Sequence, residues 1–497
     1  MKFILGNKVG SNGVLTNEQY AVDSSMTINP HCLLLGQSGT GKTHTIRAII
    51  NSSLQCENPP ERFHLFDVHD DISIDEQFCS SVQYSEISSY GINPLELNPD
   101  KHAGGVRKRV ASFINTLERA TAKLGPKQSG ILRALMIELY QLKGFQVNNP
   151  DTWSIDDNHA ILKKDCVYLD VAYNQKDQAK ALGASWDASV KSWYIHQDKY
   201  TGEVAALFES KDMDELACNQ NTQNKRRYPT LDDLVRFVKA KREEVFVGAG
   251  SETMKSLQEF HKATRSYNAK MTKFGVNASM DDEELAAIEA ASTKCKEALE
   301  RYLANYGSEK HLKNALNYGN AEVLGSIYQR LGVLNSSGVF KTSPPPFDPE
   351  KIIHRHRIKT LGADEQKLFV LFSLEQIFER MVQQGLSDTI KEVIILDEAH
   401  KFFDDDSSSI LNLIAREARK FGLALYCASQ SPSHFSDDFL SSVATKIVLG
   451  IDEMYWPSAT KKLRTTLNEL KSIKPRETIL VQTKVLSEST HWQMVKK

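Results

Sequence analysis

An α/β fold with a mainly parallel sheet is predicted by three observations. Short apolar runs read as buried strands, helical periodicity fills the stretches between them, and a glycine-rich turn leads from the first run into a helix. Two segments interrupt this pattern, one as a small α+β insertion and the other as a helical hairpin.

The first run is Cys32-Leu33-Leu34-Leu35, which enters the turn before a helix starting near Lys42. Phe63 to Val68 is a second buried-type strand, and helical spacing follows from Val110 to Leu117 and from Ile131 to Leu142. Residues 1–149 therefore read as one half of the sheet domain. The breaker cluster Asn148-Asn149-Pro150-Asp151 and the polar stretch 219–227 (NQNTQNKRR) bracket an insertion over 150–227. Within it, Val167 to Val171 and Ser192 to Ile195 alternate as strands, with a short helix from Lys176 to Leu182. Its Trp186, Trp193 and Tyr194 read most simply as the core of a mini-domain, with base stacking as the alternative.

Residues 228–342 form a helical region. Stripes from Met254 to Phe274 and from Leu285 to Tyr302, joined at Gly275 to Ser279, predict an antiparallel hairpin. A solvated arm without chemistry is its plainer reading. After Pro344-Pro345-Pro346, residues 343–497 resume the α/β pattern as the second half of the sheet domain. Strands are expected near 352–358, at 393–396, 423–428 and 446–449, with an amphipathic helix from Ala363 to Met381.

Hydrophobic residues at 41% and charged residues at 25% fit a soluble globular protein. No apolar run reaches the roughly 18 residues of a membrane helix, and the start lacks a leader pattern, so a cytoplasmic location is expected. A net charge of −2 gives no overall basic field, although a ring can hold its basic side chains in a central channel. The seven cysteines are scattered without a CxxC pair, which fits reduced thiols. His354-Arg355-His356 reads as an alternating strand face rather than a zinc site.

The chemistry is concentrated in two motifs. Gly36-Gln37-Ser38-Gly39-Thr40-Gly41-Lys42-Thr43 satisfies G-x-x-x-x-G-K-[ST] between a strand and a helix, and His44 continues the binding segment. Glycines let the backbone wrap a phosphate with its own N–H groups, and the helix that follows turns its positive end toward the anion. Lys42 is expected to reach the β- and γ-phosphates of ATP, and the Thr43 hydroxyl to ligate Mg²⁺. The second motif, Val393 to His400, is an apolar strand ending in Asp397 and Glu398. Beside the P-loop, Asp397 would hold Mg²⁺ and Glu398 would polarise the attacking water. Arg416 and Arg419 are three apart on an expected helix and share a face, with Gly422 suited to its C-terminal end. They read either as a solvated basic face or as part of the site. Gln430 ends the strand expected beside that of Glu398, where a polar group can sense the γ-phosphate.

Taken together, NPHCLLLGQSGTGKT (29–43), the strand end Asp67-Val68-His69, GINPLELNP (91–99), IILDEAH (394–400), IAREARKFGLALYCASQSP (414–432) and SVATKIVLG (442–450) resemble the HerA–FtsK superfamily. Within it the likeness is to HerA-type helicase/translocase ATPases and related conjugative-secretion ATPases, over about 1–145 and 228–497. The resemblance implies a RecA-like motor core in a homo-hexameric ring that moves double-stranded DNA, acting with a nuclease or other effector in DNA processing or antiviral defence. It implies an arginine-finger role in trans for Arg416 or Arg419 and a sensor role for Gln430. Two departures stand out. HerA-type proteins usually carry a β-barrel before the P-loop, where only about 35 residues stand here, and the 150–225 insertion is not a core part of the family. That insertion resembles a small uncharacterised domain attached to plasmid and phage DNA-metabolism proteins.

The DEAH sequence also invites a superfamily 2 helicase, but Asp397 follows Lys42 so late that no second motor domain fits after it. An ATP-dependent assembly scaffold that switches a partner, and a conjugation or secretion motor, are the alternative functions.

Overall fold

Two kinds of strand pairing meet in one sheet. The structure is a computed structural model that describes residues 1–10, 13–121, 123–155, 166–172, 175–187, 192–210, 227–247, 251–274, 282–306, 321–404, 406, 408–486 and 490–497. In chain order the strands are β1 (Lys2–Val9), β2 (Leu15–Asp23), β3 (Cys32–Gly36), β4 (Arg62–Asp67), β5 (Cys79–Gln83), β6 (Cys166–Leu169) and β7 (Ser185–Asp187). They continue with β8 (Ser192–His196), β9 (Ile353–Arg357), β10 (Ser387–Leu396), β11 (Phe421–Ser429), β12 (Thr445–Gly450), β13 (Thr478–Thr483) and β14 (Trp492–Lys496).

Among the described residues the larger sheet has eleven strands in the order β2-β1-β14-β13-β12-β3-β11-β10-β4-β9-β5. From β12 to β5 every neighbouring pair is parallel. From β12 outward through β13, β14, β1 and β2 every pair is antiparallel. The parallel part is the RecA-like P-loop core, and its central strands are apolar throughout because helices cover both faces. All five residues of β3 are buried, as are Val393 to Leu396 of β10. The core beneath the P-loop helix (Lys42–Leu54) joins Ile46, Ile49 and Ile50 to Leu34, Leu65, Ile395 and Ile447 from four strands.

The strand that leads to Gln430 lies beside that of Glu398, as expected. β11, which leads to Gln430, lies between β3 and β10, so β10 is one strand removed from β3. His354 and His356 are buried on one face of β9, with Arg355 between them directed to Asp67 and Asp70. This is the alternating strand face that the sequence predicts.

Helix Ala363–Gln384 packs on helix Val106–Ala120, where Phe372 and Phe113 stack with centroids 5.7 Å apart. Helices Ser251–Phe274 and Asp282–Tyr306 form the expected hairpin: Phe260 stacks on Tyr302 and Arg301 pairs with Glu259. The turn expected at Gly275 to Ser279 lies outside the described residues, as does most of the polar stretch 219–227.

A second compact unit takes in residues 96–109 and 137–229. It contains a three-stranded antiparallel sheet, β6-β8-β7, whose small core gathers Leu169, Ala179, Trp193, Ile195, Val204 and Phe208. Trp193 is therefore core. Trp186 is not: it lies on edge strand β7, is 50% exposed, and touches Trp193 edge-on.

Candidate active site

Positive φ shapes the P-loop. Gly39 (φ 81°) and Gly41 (φ 100°) take backbone conformations that L side chains rarely adopt, and a Cβ on Gly36 would fall 2.4 Å from Thr40 Oγ1. Thr40 Oγ1 donates to Gln37 O at 2.8 Å, and the Gln37 N–H donates to Gly450 O at 2.9 Å, which ties the loop to the end of β12. Lys42 is nearly buried, and its ammonium donates to Gly36 O at 2.8 Å.

The loop opens onto a cavity of about 830 Å³ whose wall includes Ser38, Gly39, Gly41, Lys42, Thr43 and His44. Asp397, Glu398 and Gln430 line it from the ends of β10 and β11. The structure thus brings both sequence motifs to one cavity. Glu398 Oε1 lies 3.6 Å from Lys42 Nζ, and Glu398 Oε2 accepts from Gln430 Nε2 at 3.4 Å.

Three carboxylates cluster beside these groups. Oxygens of Asp67, Asp71 and Asp397 lie within 4.8 Å of one another. Asp67 is fully buried at the end of β4 and held by Arg355 at 2.6 Å and by the backbone N–H groups of Asp70 and Ile72. Burial first, and then the charges of Glu398, Asp67 and Asp71, push the Asp397 carboxyl up to about 7. The Lys42 charge opposes that shift. A hard divalent cation suits such an all-oxygen, charge-crowded set, so the donors present fit Mg²⁺. Thr43 and Asp397 would hold it, with Asp67 and Asp71 next to them. When bound, the ion would neutralise charge on the phosphates.

The single helix expected to carry both Arg416 and Arg419 is corrected. The helix carrying Arg416 stops at Glu417, and Arg419 belongs to a separate 3₁₀ turn, Ala418–Lys420. The break has a local cause. Phe421 is already paired with Ser387 in the sheet, and Gly422 turns at φ 74°, where a Cβ would lie 2.6 Å from Thr389 O. Both arginines are exposed, Arg419 donates to Ile28 O, and neither lines the cavity of its own chain.

Sequence reasoning missed several cavity residues. Arg476 precedes β13 and donates from Nε to Gly39 O at 2.9 Å; Lys497 follows β14 and donates to Thr45 Oγ1 at 2.8 Å. Arg47, His69 and Asp71 also line the cavity. Nothing in local periodicity marks these positions. Asp71 was within reach as the last of three acids in the segment that begins at the Asp67 strand end.

Comparisons with known proteins agree with this geometry. Residues 354–485 match the family described as helicase HerA-like C-terminal. A probable DNA double-strand break repair helicase HerA of Methanocaldococcus jannaschii is 29% identical over 192 residues, which is 35% of this chain and 38% of that protein. The DNA double-strand break repair helicase HerA of Pyrococcus furiosus is 26% identical over 249 residues, covering 41% and 45% of the two chains. The matched region thus spans less than half the length of these relatives. Together with the P-loop geometry, these likenesses support a P-loop ATPase of the HerA–FtsK type. The structure of VirB4 of Thermoanaerobacter pseudethanolicus superposes with a TM-score of 0.56 at 12% identity over 99% of this chain and 95% of that one, a likeness of fold. Residues 167–206 match a family described as a domain of unknown function, DUF5710. No described helix is long and apolar enough to cross a membrane.

Proposed function

We propose that this ATPase is the motor subunit of a homo-hexameric ring that spends ATP, with Mg²⁺, on moving double-stranded DNA for a nuclease or other effector. In that reading Lys42 holds the β- and γ-phosphates, Asp397 and Thr43 hold the metal, Glu398 orients the attacking water, and Gln430 senses the γ-phosphate. Arg416 or Arg419 completes the site of the neighbouring subunit.

What supports the ring is the position of two exposed arginines outside the cavity. Phosphoryl transfer needs cationic charge at the transferred group. The cavity supplies the P-loop, its lysine, the acidic strand ends and the cations Arg47, Arg476 and Lys497, while Arg416 and Arg419 are exposed and do not line it. A second copy would bring one of them to the phosphate. The DNA assignment draws on the relatives named as DNA double-strand break repair helicases.

The test is the ATPase rate of the purified chain with and without double-stranded DNA, alongside mass measurement of the assembly. Strong stimulation of a hexamer supports the motor. A hexamer indifferent to DNA supports a scaffold that switches its partner, and a monomer active at full rate sinks the trans finger.

A further inference from the structure

His400, Ser429 and His434 have no role so far, yet they form a chain that ends on Glu398. His400 Nδ1 is 3.2 Å from Glu398 Oε2 and 3.5 Å from Ser429 Oγ. Ser429 is fully buried at the end of β11, and its Oγ is 2.9 Å from His434 Nδ1. The two imidazoles lie against each other, with centroids 4.7 Å apart and planes tilted by 34°.

Glu398 needs such support. Its backbone is left-handed, at φ 50°, which a non-glycine residue keeps only where the surroundings hold it. Its Oε1 faces Lys42 Nζ, a group whose proposed partner is the phosphate, so that contact cannot also orient the carboxylate during turnover. Gln430 is exposed, and its 3.4 Å contact is at the long end of a hydrogen bond. His400 Nδ1 is the closer nitrogen, and only 27% of its side chain is exposed.

We propose that His400 is a positioning residue that fixes the Glu398 carboxylate for water activation, and that His434, acting through Ser429, fixes the ring of His400. The single Nδ1–H of His400 is shared between Glu398 Oε2 and Ser429 Oγ, and the Ser429 hydroxyl donates to His434 Nδ1. The inference rests on the role proposed above for Glu398.

Steady-state kinetics of variants of the full chain test it. His400→Ala is expected to lower kcat about ten- to hundredfold while KM and the affinity for a non-hydrolysable ATP analogue stay near wild type. A loss of that order follows from removing one hydrogen bond to an ionised acceptor. His400→Asn keeps a donor nitrogen near the Nδ1 position and is expected to recover most of the rate. His434→Ala is expected to cost about three- to tenfold, as fits an indirect contact, with His434→Asn restoring it.

A merely structural role would lower the melting temperature and leave kcat of the folded protein unchanged. Wild-type kcat in His400→Ala, or a loss that His400→Asn does not restore, overturns the inference. Glu398→Gln, measured in parallel, separates the two claims. It is expected to keep analogue affinity and lose turnover by orders of magnitude. Normal turnover in Glu398→Gln removes the role of Glu398 itself, whereas its loss with an unaffected His400→Ala removes only the positioning chain.

Discussion

The parallel and antiparallel parts of the large sheet contribute unlike groups to the same cavity. Strands β3, β10 and β11 end in the P-loop, the Asp397–Glu398 pair and Gln430. These groups sit at the carboxyl ends of parallel strands, where helices on both faces make the backbone rigid and the sheet dry. The antiparallel part contributes cations on long side chains, Arg476 and Lys497, which line the cavity and donate to Gly39 O of the P-loop and to Thr45 Oγ1 of the helix that follows it. Chemistry that needs fixed geometry therefore sits on the parallel strands, and adjustable charge comes from the antiparallel ones. Substitutions on the two sides should differ in kind, not only in size.

Lys42→Ala should have the largest effect. It removes the nearly buried ammonium that lies between Gly36 O and Glu398 Oε1, and leaves the β- and γ-phosphates without their main cationic partner. Nucleotide binding or hydrolysis should fall below detection in a direct turnover assay. Turnover near wild type would mean that the parallel side does not hold the phosphates.

Arg416→Ala and Arg419→Ala come next. An arginine finger contributes about 10³ to 10⁵ in rate, far more than an exposed surface charge. Because both arginines lie off their own chain's cavity, the loss should be rescued between subunits. Lys42→Ala protomers mixed with finger-deficient protomers should recover some turnover, since the latter keep a P-loop and the former supply the arginine. Mass measurement must first establish that subunits exchange. With exchange established and no recovery for either arginine, the trans finger fails.

How much of this was legible in the sequence follows the same division. β3 and the apolar end of β10 are buried on both faces, so they appear as uninterrupted apolar runs that need no partner to be recognised. The strands of the antiparallel edge carry no such signal. β1 mixes exposed and buried positions, and its pairing of Asn7 with Lys496 joins residues from opposite ends of the chain. The break at Glu417 was hidden for a related reason. Helical spacing continues through Arg419 in the sequence, but the pairing of Phe421 into the sheet stops the helix early. Asp67 was visible as a strand end. Its partner Arg355 was not, because that contact crosses from β4 to β9. Local pattern reveals what a segment buries by itself, and says little about contacts that only the assembled sheet creates.

The smallest effect should come from the antiparallel side, at Arg476. Its Nε donates to Gly39 O at 2.9 Å, but the side chain is exposed, so solvent screens much of the interaction. Arg476→Ala should weaken ATP binding by about two- to fivefold, in line with roughly 0.5–1 kcal/mol for one exposed contact, and leave kcat unchanged. The backbone at this position permits a control. Arg476 has φ 71°, a left-handed conformation that alanine tolerates no better and glycine accepts freely. Arg476→Gly should therefore be more stable than Arg476→Ala by about 1 kcal/mol in thermal or chemical unfolding. Both variants lack the guanidinium, so both should show the same small loss of affinity for a fluorescent ATP analogue. If affinity instead tracked the stability difference, Arg476 would act by shaping the loop rather than by its charge. A loss approaching that of Lys42→Ala would place the antiparallel strands inside the phosphate chemistry and erase the division between the two parts of the sheet.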